Sequence, residues 1–381
     1  MLLLASSHAM NDAFSNLLPA FLPTLQAQFG LGETFLAILV AVISFSSNVL
    51  QAFAGVVADR WGRRRAAAVG LIAGSVLMSF IPVVPTVWAL ILVLAIGGLG
   101  SALFHPAAAS MARMAAKRKG LALGLFTSGG PLGSAIMPVV ALWLLRNYGP
   151  EAIPWLSVLG ITLGIALFVL APQQTPPDRA TRPKFFDLSL FMGPVGLLAV
   201  AGILRAVSYI SFMNAMPLVL VNIHGIERDG LLIGYTLAVF QIAASVGVIA
   251  SGALEPRLGR RFLVVGAMLL GFPAFVGSLF VAPGSLAFYA LIAVAGFMNN
   301  APIPLLVVSA QDFAPNAVAT ASGMLMGFTW GIAGIAYIGF GGLQEAFGLI
   351  PALLMGFSFL LPAAGLSAYV LTRYRTSFAD A

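Results

Sequence analysis

The 381-residue chain contains no cysteine, and charged residues make up only 8% of it. Without cysteine there is no disulfide framework, no thiolate metal site and no thiol nucleophile. Soluble domains usually carry roughly a quarter of charged residues, whereas this chain is 60% hydrophobic. The composition therefore excludes a soluble globular protein and places the chain in a lipid bilayer.

Long apolar runs fill most of the sequence. A helix needs roughly 20 predominantly apolar residues to cross the hydrocarbon core. The first run has no basic region before it and no small-residue cleavage site, so we expect it to be a retained helix. We predict twelve spanning helices, at residues 2–28, 33–57, 66–84, 88–112, 121–146, 154–172, 189–222, 231–254, 262–282, 285–310, 317–341 and 347–371.

The basic residues are distributed unevenly along these runs. If the N-terminus is cytoplasmic, all of the 19 Lys and Arg residues except Arg146, Arg205 and Arg228 fall on the cytoplasmic side or in cytoplasmic turns. This asymmetry is the positive-inside pattern of membrane proteins. It accounts for the net charge of +7 without nucleic acid as a partner. Both termini are expected in the cytoplasm.

Two arginine-rich segments, residues 55–65 and 252–261, occupy corresponding places between apolar runs. Each is expected to form a tight cytoplasmic turn, and their similarity indicates a duplicated chain. A polar, proline-rich stretch lies near the midpoint. We therefore predict an all-α integral membrane protein of two pseudo-symmetric six-helix bundles, residues 1–172 and 189–381, joined by a cytoplasmic linker at 173–188.

The first arginine-rich segment resembles the signature of the major facilitator superfamily between helices 2 and 3. The matching residues are Gly55, Asp59, Arg60, Gly62, Arg63 and Arg64. The second segment keeps Gly259 and Arg260 but has Pro256 where the signature has aspartate, with Glu255 one place earlier.

Within the superfamily the chain resembles the fosmidomycin resistance branch. The shared landmarks are Ser7, His8, Asn11, Asp12, Gly98, Gly100, Ser101, Phe104, His105, Pro106, Arg113, Gly129, Gly130, Gly133, Gln311 and Asp312. The resemblance implies a twelve-helix, proton-driven exporter of the bacterial inner membrane and leaves its substrate open. It departs from many drug antiporters because no arginine lies in the middle of helix 4.

Helix 1 carries His8, Asn11 and Asp12 at spacings that place them on one helical face. Asp12 is predicted near mid-membrane, where a charge costs roughly 2.5 to 3.5 kcal/mol unless it is paired or hydrated. Our hypothesis is that Asp12 takes up and releases a proton as the cavity changes sides. A static carboxylate in the helix contact is the alternative.

Helix 7 carries Arg205, Ser208 and Tyr209 on one face, with Arg205 also near mid-membrane. Arginine keeps its charge in proteins and therefore needs an anion. That anion is Asp12, the substrate, or each in turn. A fixed Asp12–Arg205 pair is the alternative.

His105 lies in the cytoplasmic half of helix 4 and precedes Pro106, which interrupts backbone hydrogen bonding. Histidine titrates near neutrality, so a proton-relay or substrate role is weighed against simple packing. We assign proton coupling to Asp12, His105 and His8. We assign substrate binding to Arg205, Asn11, Tyr209, Ser101, Ser208, Asn299, Asn300, Gln241 and Trp330.

A short basic turn with one acid can hold the cytoplasmic side shut, so the arginine-rich segments are assigned to conformational control. The residues are Gly55, Asp59, Arg60, Gly62, Arg63, Arg64, Arg113, Gly259 and Arg260.

No nucleotide-binding glycine motif, metal-ligand spacing or catalytic triad is recognisable. We expect neither an enzyme nor a cofactor or metal site, and an ion gradient as the energy source. The favoured function is proton-coupled efflux of a small organic compound or drug by alternating access, and Arg205 favours one with an acidic or phosphonate-like group. The monomer is expected to be functional. Uptake or exchange of an anionic metabolite is the first alternative, and a non-transporting membrane sensor the second.

Overall fold

The computed structural model describes residues 1–114, 119–171 and 188–374, and these are almost entirely helical, with no strand among them. We number the helical segments α1 (Leu2–Ser15 and Leu18–Phe29), α2 (Glu33–Ser44, Phe45–Val49 and Gln51–Trp61), α3 (Arg63–Ser79), α4 (Val87–Met114), α5 (Lys119–Tyr148), α6 (Ser157–Leu170), α7 (Pro194–Asn222), α8 (Leu231–Leu258), α9 (Arg260–Ser278), α10 (Leu286–Asn300 and Pro302–Phe313), α11 (Val318–Gly323, Met324–Phe328 and Thr329–Phe347) and α12 (Leu349–Ser358 and Leu360–Arg373).

Ten spans within the described ranges are long and apolar enough to cross a membrane. The two parts of α2, bent by 49°, form an eleventh candidate. The chain is thus an all-α, multi-pass membrane protein, as its composition predicts. 

The remaining segment, α1, is broken where we predicted one continuous helix over 2–28. Pro19, which has no N–H to donate, lies in the first turn of the second piece. The first piece ends where the Asn16 side chain donates to the Asp12 carbonyl at 2.9 Å. The break lies one turn beyond Asp12.

The helix packing repeats between the two halves of the chain. In the first half α3 packs on α4, α1 on α5 and α3 on α6; the counterparts α9 on α10, α7 on α11 and α9 on α12 recur in the second. The halves meet through α2 against α11 and α5 against α8, which are themselves related by the repeat. The π-helical turns Phe45–Val49 and Met324–Phe328 face each other in the first of these contacts.

Each arginine-rich segment forms a turn of one residue between two helices. Gly62 separates α2 from α3 with φ of 100°, and Gly259 separates α8 from α9 with φ of 77°. L-residues with a side chain rarely adopt such positive φ values. The predicted tight turns are therefore present, and glycine is what allows them.

We call the end of the bundle that carries these two turns the basic end. Polar contacts between described residues join the halves at the opposite end, where Arg146 Nη2 is 3.0 Å from Glu227 Oε2 and Asn222 donates to Gln26 Oε1 at 2.9 Å. There the Thr34 N–H also donates to Glu345 Oε1 at 3.0 Å. Ion pairs between described residues at the basic end stay within one half. The halves are therefore fastened at the opposite end.

Two of our predictions fall on residues that the structure does not describe. The linker at 173–188 lies outside the described ranges except for its last residue, which begins a short 3-10 helix, Leu188–Met192. The Arg113 side chain also lies outside them.

Candidate functional site

A histidine–aspartate cluster, formed by His8, Asp12 and His105, joins α1 to α4. His8 Nε2 lies 3.3 Å from Asp12 Oδ2, and His105 Nε2 lies 3.1 Å from Asp12 Oδ1. Asn11 Nδ2 donates to Asp12 Oδ1 at 3.0 Å and to Ser101 Oγ at 3.1 Å. Helical spacing in α1 and in α4 presents these five side chains to one another, as our proton-coupling assignment requires.

The other ring nitrogens define where hydrogens must lie. His8 Nδ1 is 2.8 Å from the Phe126 carbonyl oxygen, and His105 Nδ1 is 3.0 Å from the Ser101 carbonyl oxygen. A carbonyl oxygen only accepts, so each Nδ1 carries a hydrogen. In a neutral ring Nε2 then has only a lone pair to direct at the carboxylate of Asp12. Each Nε2–carboxylate contact therefore needs one further proton, on the imidazole or on Asp12.

The cluster is packed on one side and accessible on the other. The His8 ring stacks on Phe126, with centroids 4.3 Å apart and planes within 11°. Gly130 of α5 also contacts it closely, because a Cβ there would collide with Asp12 Oδ2 and the His8 ring. The exposed fractions of the side chains rise from 8% for His8 to 19% for Asp12 and 28% for His105. The cluster is therefore most accessible on the His105 side.

A second cluster surrounds Arg205 in the other half. The Arg205 side chain is buried, and its Nη1 donates to the Asn299 carbonyl at 3.1 Å and to Asn300 Oδ1 at 3.3 Å. Its guanidinium carbon lies 4.9 Å from the centroid of the Trp330 ring, a cation–π geometry. Tyr209 packs edge-on against Trp330 and donates to Gln241 Oε1 at 2.9 Å. We call these six residues the arginine cluster.

Arg205 has no anionic partner among the described residues. Asp12 pairs with two histidines instead, so the fixed Asp12–Arg205 pair is not formed here. A buried guanidinium without an anion is costly. Asn299 Oδ1 is also buried without a hydrogen-bond partner. The arginine cluster can thus receive an anionic group on Arg205 and a hydrogen-bond donor on Asn299.

The two clusters are close enough to influence each other. Tyr209 lies within electrostatic range of both Arg205 and Asp12. A charge that binds in one cluster therefore changes the energy of a charge in the other.

Of the residues assigned to substrate binding, Ser208 lies apart from both clusters. Its hydroxyl donates to the Gly356 carbonyl of α12 at 2.8 Å and is fully buried. Helical spacing alone put Ser208 beside Arg205, but it could not reveal that α12 packs on this side of α7. Ser208 holds α7 to α12.

The residues assigned to conformational control form contacts within each half. Asp59 Oδ1 accepts from Arg63 Nε at 2.9 Å, and Arg64 donates to the Ala171 carbonyl at 3.3 Å. Arg260 lies 2.7 Å from Glu255 Oε1 and 2.6 Å from Asp312 Oδ2. Gly55 is the point where α2 approaches Pro106 of α4, while Arg60 is exposed.

Three participants were not assigned by sequence reasoning. The Phe126 carbonyl holds the His8 ring, Gly130 leaves room for the cluster, and Asp312 gives Arg260 a second acidic partner beside Glu255. The i, i+4 spacing of Phe126 and Gly130 could have linked them to one face of α5. Nothing local in the sequence predicts the Asp312 contact.

The donor atoms of His8, Asp12 and His105 lie within 4.8 Å of one another, a spacing that a metal ion could bridge. Their short direct contacts are explained by hydrogen bonds between imidazole and carboxylate, so we assign none of them as a metal ligand.

Residues 4–338 match the sequence profile described as Major Facilitator Superfamily. The chain belongs to this superfamily. It is 25% identical to the uncharacterised MFS-type transporter YfnC of Bacillus subtilis (strain 168), over 97% of this chain and 92% of that protein. It is 26% identical to the fosmidomycin resistance protein of Escherichia coli (strain K12), over 86% of this chain and 82% of that protein.

The fold is also that of solved transporters. A crystal structure of a mutant of the nucleoside transporter NupG matches with a TM-score of 0.80 at 13% identity, covering 97% of this chain and 98% of that one. The predicted superfamily, its fold and its resemblance to the fosmidomycin resistance branch are thus confirmed. The protein is a transporter and not an enzyme.

Proposed function

We propose that this transporter exports a small organic compound across the bacterial inner membrane in exchange for protons, and that the monomer is sufficient. The observation that carries the proposal is the position of Asp12 between two imidazole Nε2 atoms whose rings are fixed by backbone carbonyls. The relative named for fosmidomycin resistance supports export.

The proton step follows from the hydrogen requirement of the cluster. With two added protons, both Nε2 atoms are held on Asp12 and α1 is tied to α4. When the protons leave, lone pairs face the carboxylate and the contacts become repulsive. His105, the most accessible member, then separates first. Release of these protons towards the basic end therefore separates α4 from α1. The transporter can then change the side of the membrane to which its cavity opens.

The substrate step belongs to the arginine cluster. An acidic group placed on Arg205 neutralises a buried charge that has no partner in the described residues, and the Trp330 face limits its approach to one side. Asn299 Oδ1 accepts from a hydroxyl or N–H of the same molecule. The substrate class is therefore a small organic anion that also carries a hydrogen-bond donor.

Whether substrate and protons move in opposite directions or in the same direction depends on which cluster the substrate contacts. For export the compound therefore needs a second donor group, which reaches Asp12, displaces the histidines and so competes with protons; this gives antiport. An anion that touches only Arg205 binds better when the histidine–aspartate cluster is protonated, which gives co-transport. Because Arg205 has no anionic partner in the part of the chain that the structure describes, uptake of an anionic metabolite is the second candidate function.

Energetically, one proton per cycle is enough for useful export. A unit charge that crosses 100 mV contributes roughly 2.3 kcal/mol, or about a fifty-fold concentration ratio.

The test is luminal pH in proteoliposomes, followed with an enclosed dye while phosphonates, organic acids or lipophilic cations are added outside. Under antiport an entering compound makes the lumen alkaline, and under co-transport it makes the lumen acidic. We expect alkalinisation with an acidic compound. A chelator in the buffer removes contaminating cations.

The matched variants are Asp12→Asn and Glu151→Gln, which remove a carboxylate from the cluster and from an exposed position, respectively. Asp12→Asn should abolish the pH change while labelled compound still exchanges, whereas Glu151→Gln should behave as the parent does. Equal proton flux in parent and Asp12→Asn would refute coupling at Asp12.

A further inference from the structure

A groove at the basic end lies between the start of α9 and the end of α12, outside both clusters of the transport site. It has a volume of about 460 Å³ and is lined by Arg261, Ala368, Tyr369, Thr372 and Arg373. Two guanidinium groups thus share one concave surface with a phenol and a hydroxyl.

The two arginines of the groove are exposed, and neither has an ion pair among the residues that the structure describes. Their neighbour Arg260 differs, because it contacts both Glu255 and Asp312. Consecutive arginines therefore serve different purposes. Arg260 fastens α9 to α8 and α10, while Arg261 points its charge into an open groove.

The surroundings of the groove are those of a lipid-facing surface. Phe262, next to Arg261, is 66% exposed, and Tyr369 is 54% exposed. Large exposed apolar side chains on a membrane protein contact acyl chains, and tyrosine is favoured at the level of the headgroups. Arg261 and Arg373 lie at the same level, because they are at the ends of the spanning parts of α9 and α12.

We propose that this groove binds the phosphodiester headgroup of an anionic phospholipid. Phosphate oxygens accept charge-assisted hydrogen bonds from both guanidinium groups, and the Tyr369 hydroxyl is a further donor. Thr372 contributes shape instead, because its hydroxyl already donates to the Ala368 carbonyl. A zwitterionic headgroup brings a cation towards two arginines, so the groove selects against it.

The experiment titrates purified protein in detergent with dioleoyl phosphatidylglycerol or dioleoyl phosphatidylcholine and counts bound lipid by native mass spectrometry. The variant is Arg261→Gln with Arg373→Gln. The matched control is Arg65→Gln with Arg257→Gln, which removes two exposed arginines elsewhere at the basic end. We expect the parent and the control to prefer phosphatidylglycerol by roughly tenfold or more, and the groove variant to lose that preference.

A second variant, Ala368→Trp, fills the groove and keeps both charges. Ala368→Trp should also lose the preference for phosphatidylglycerol. It tests the proposal if the double arginine variant does not fold. Equal preference in the groove variants and the control overturns the proposal. So does displacement of the lipid by millimolar inorganic phosphate, because the site would then be one for free phosphate.

Discussion

His105 Nε2 of α4 lies 3.1 Å from Asp12 Oδ1 of α1, while His105 Nδ1 is held by the Ser101 carbonyl of its own helix. The ring therefore bridges a fixed acceptor and an ionisable one. The same is true of His8, whose ring spans the Phe126 carbonyl and Asp12. In this geometry protonation and the contact between α1 and α4 cannot change independently.

Nitrogen NMR of the imidazole rings tests this arrangement directly, because the chain has only three histidines. We expect His8 and His105 to carry a hydrogen on Nδ1, and at least one of the two rings to carry one on Nε2 as well while the contacts to Asp12 persist. In Asp12→Asn both rings should become neutral with the hydrogen on Nδ1. His8→Gln and His105→Gln assign the signals.

The control is His224, which lies exposed in the connection after α7. Its signals should be the same in the parent and in Asp12→Asn. A neutral ring at His8 or His105 with its hydrogen on Nε2 alone contradicts the proton assignment.

The sequence predicted this site only where its geometry is local. His8 and Asp12 are four residues apart, so helical periodicity alone places them together. Their contact with His105 depends on how α4 packs on α1, and the sequence could only mark His105 as titratable beside a proline. Arg205 shows the same limit, because its burial followed from hydropathy whereas its neighbours Asn299 and Trp330 come from α10 and α11.

The sequence also predicts the positions of helix breaks only in part. The two glycine turns were predictable because Gly62 and Gly259 recur in matched segments. The break of α1 depends on the side-chain bond from Asn16 to the Asp12 carbonyl, supported by Ser134 of α5. A proline marks this position in the sequence, but only tertiary packing decides whether the helix bends or stops.

Arg205→Lys should weaken substrate binding although the charge is kept. Lysine lacks the planar fork that stacks on Trp330 and donates to Asn300 at the same time. We expect a loss of roughly tenfold or more in affinity for the compound that evokes proton flux, measured by tryptophan fluorescence. Trp330→Phe should abolish the fluorescence change, which would identify Trp330 as its source. Unchanged affinity in Arg205→Lys would show that the substrate does not use the guanidinium.

Gly133→Leu should destabilise the fold. The Cβ of any larger residue at this position collides with the Ala9 carbonyl, because α5 and α1 are in backbone contact there. Overpacking of this kind costs roughly 1 to 3 kcal/mol. Thermal unfolding in detergent provides the measurement.

Gly339→Leu is the matched control for this change. Gly339 is also in a helix, but nothing lies within 4 Å of a Cβ built on it. It should unfold at the temperature of the parent. Equal unfolding temperatures for the two leucine variants would contradict the close packing of α5 on α1.

Glu345→Ala should open the end of the bundle opposite the basic turns. Glu345 of α11 accepts from the Thr34 N–H in the first turn of α2, where donors have no partner within their own helix. The N-cap residue of this turn is Gly32, which has no side chain to take that role. The negative charge of the Glu345 carboxylate also interacts favourably with the positive, N-terminal end of the α2 helix dipole. This contact joins the two halves and exists only while they are closed at this end.

Spin labels can report the opening because the chain has no cysteine of its own. With Asn147→Cys and Arg228→Cys labelled on opposite halves, Glu345→Ala should shift the distance distribution towards longer values. Glu345→Gln keeps an acceptor oxygen for Thr34 and should retain most of the short distances. Arg146→Gln should have a smaller effect, because the side chains of Arg146 and Glu227 are 47% and 68% exposed and such pairs contribute at most about 1 kcal/mol. Glu345 is exposed as well, but it binds a backbone N–H that has no partner in its own helix. If Arg146→Gln opens this end and Glu345→Ala does not, closure depends on the ion pair rather than on the capped helix.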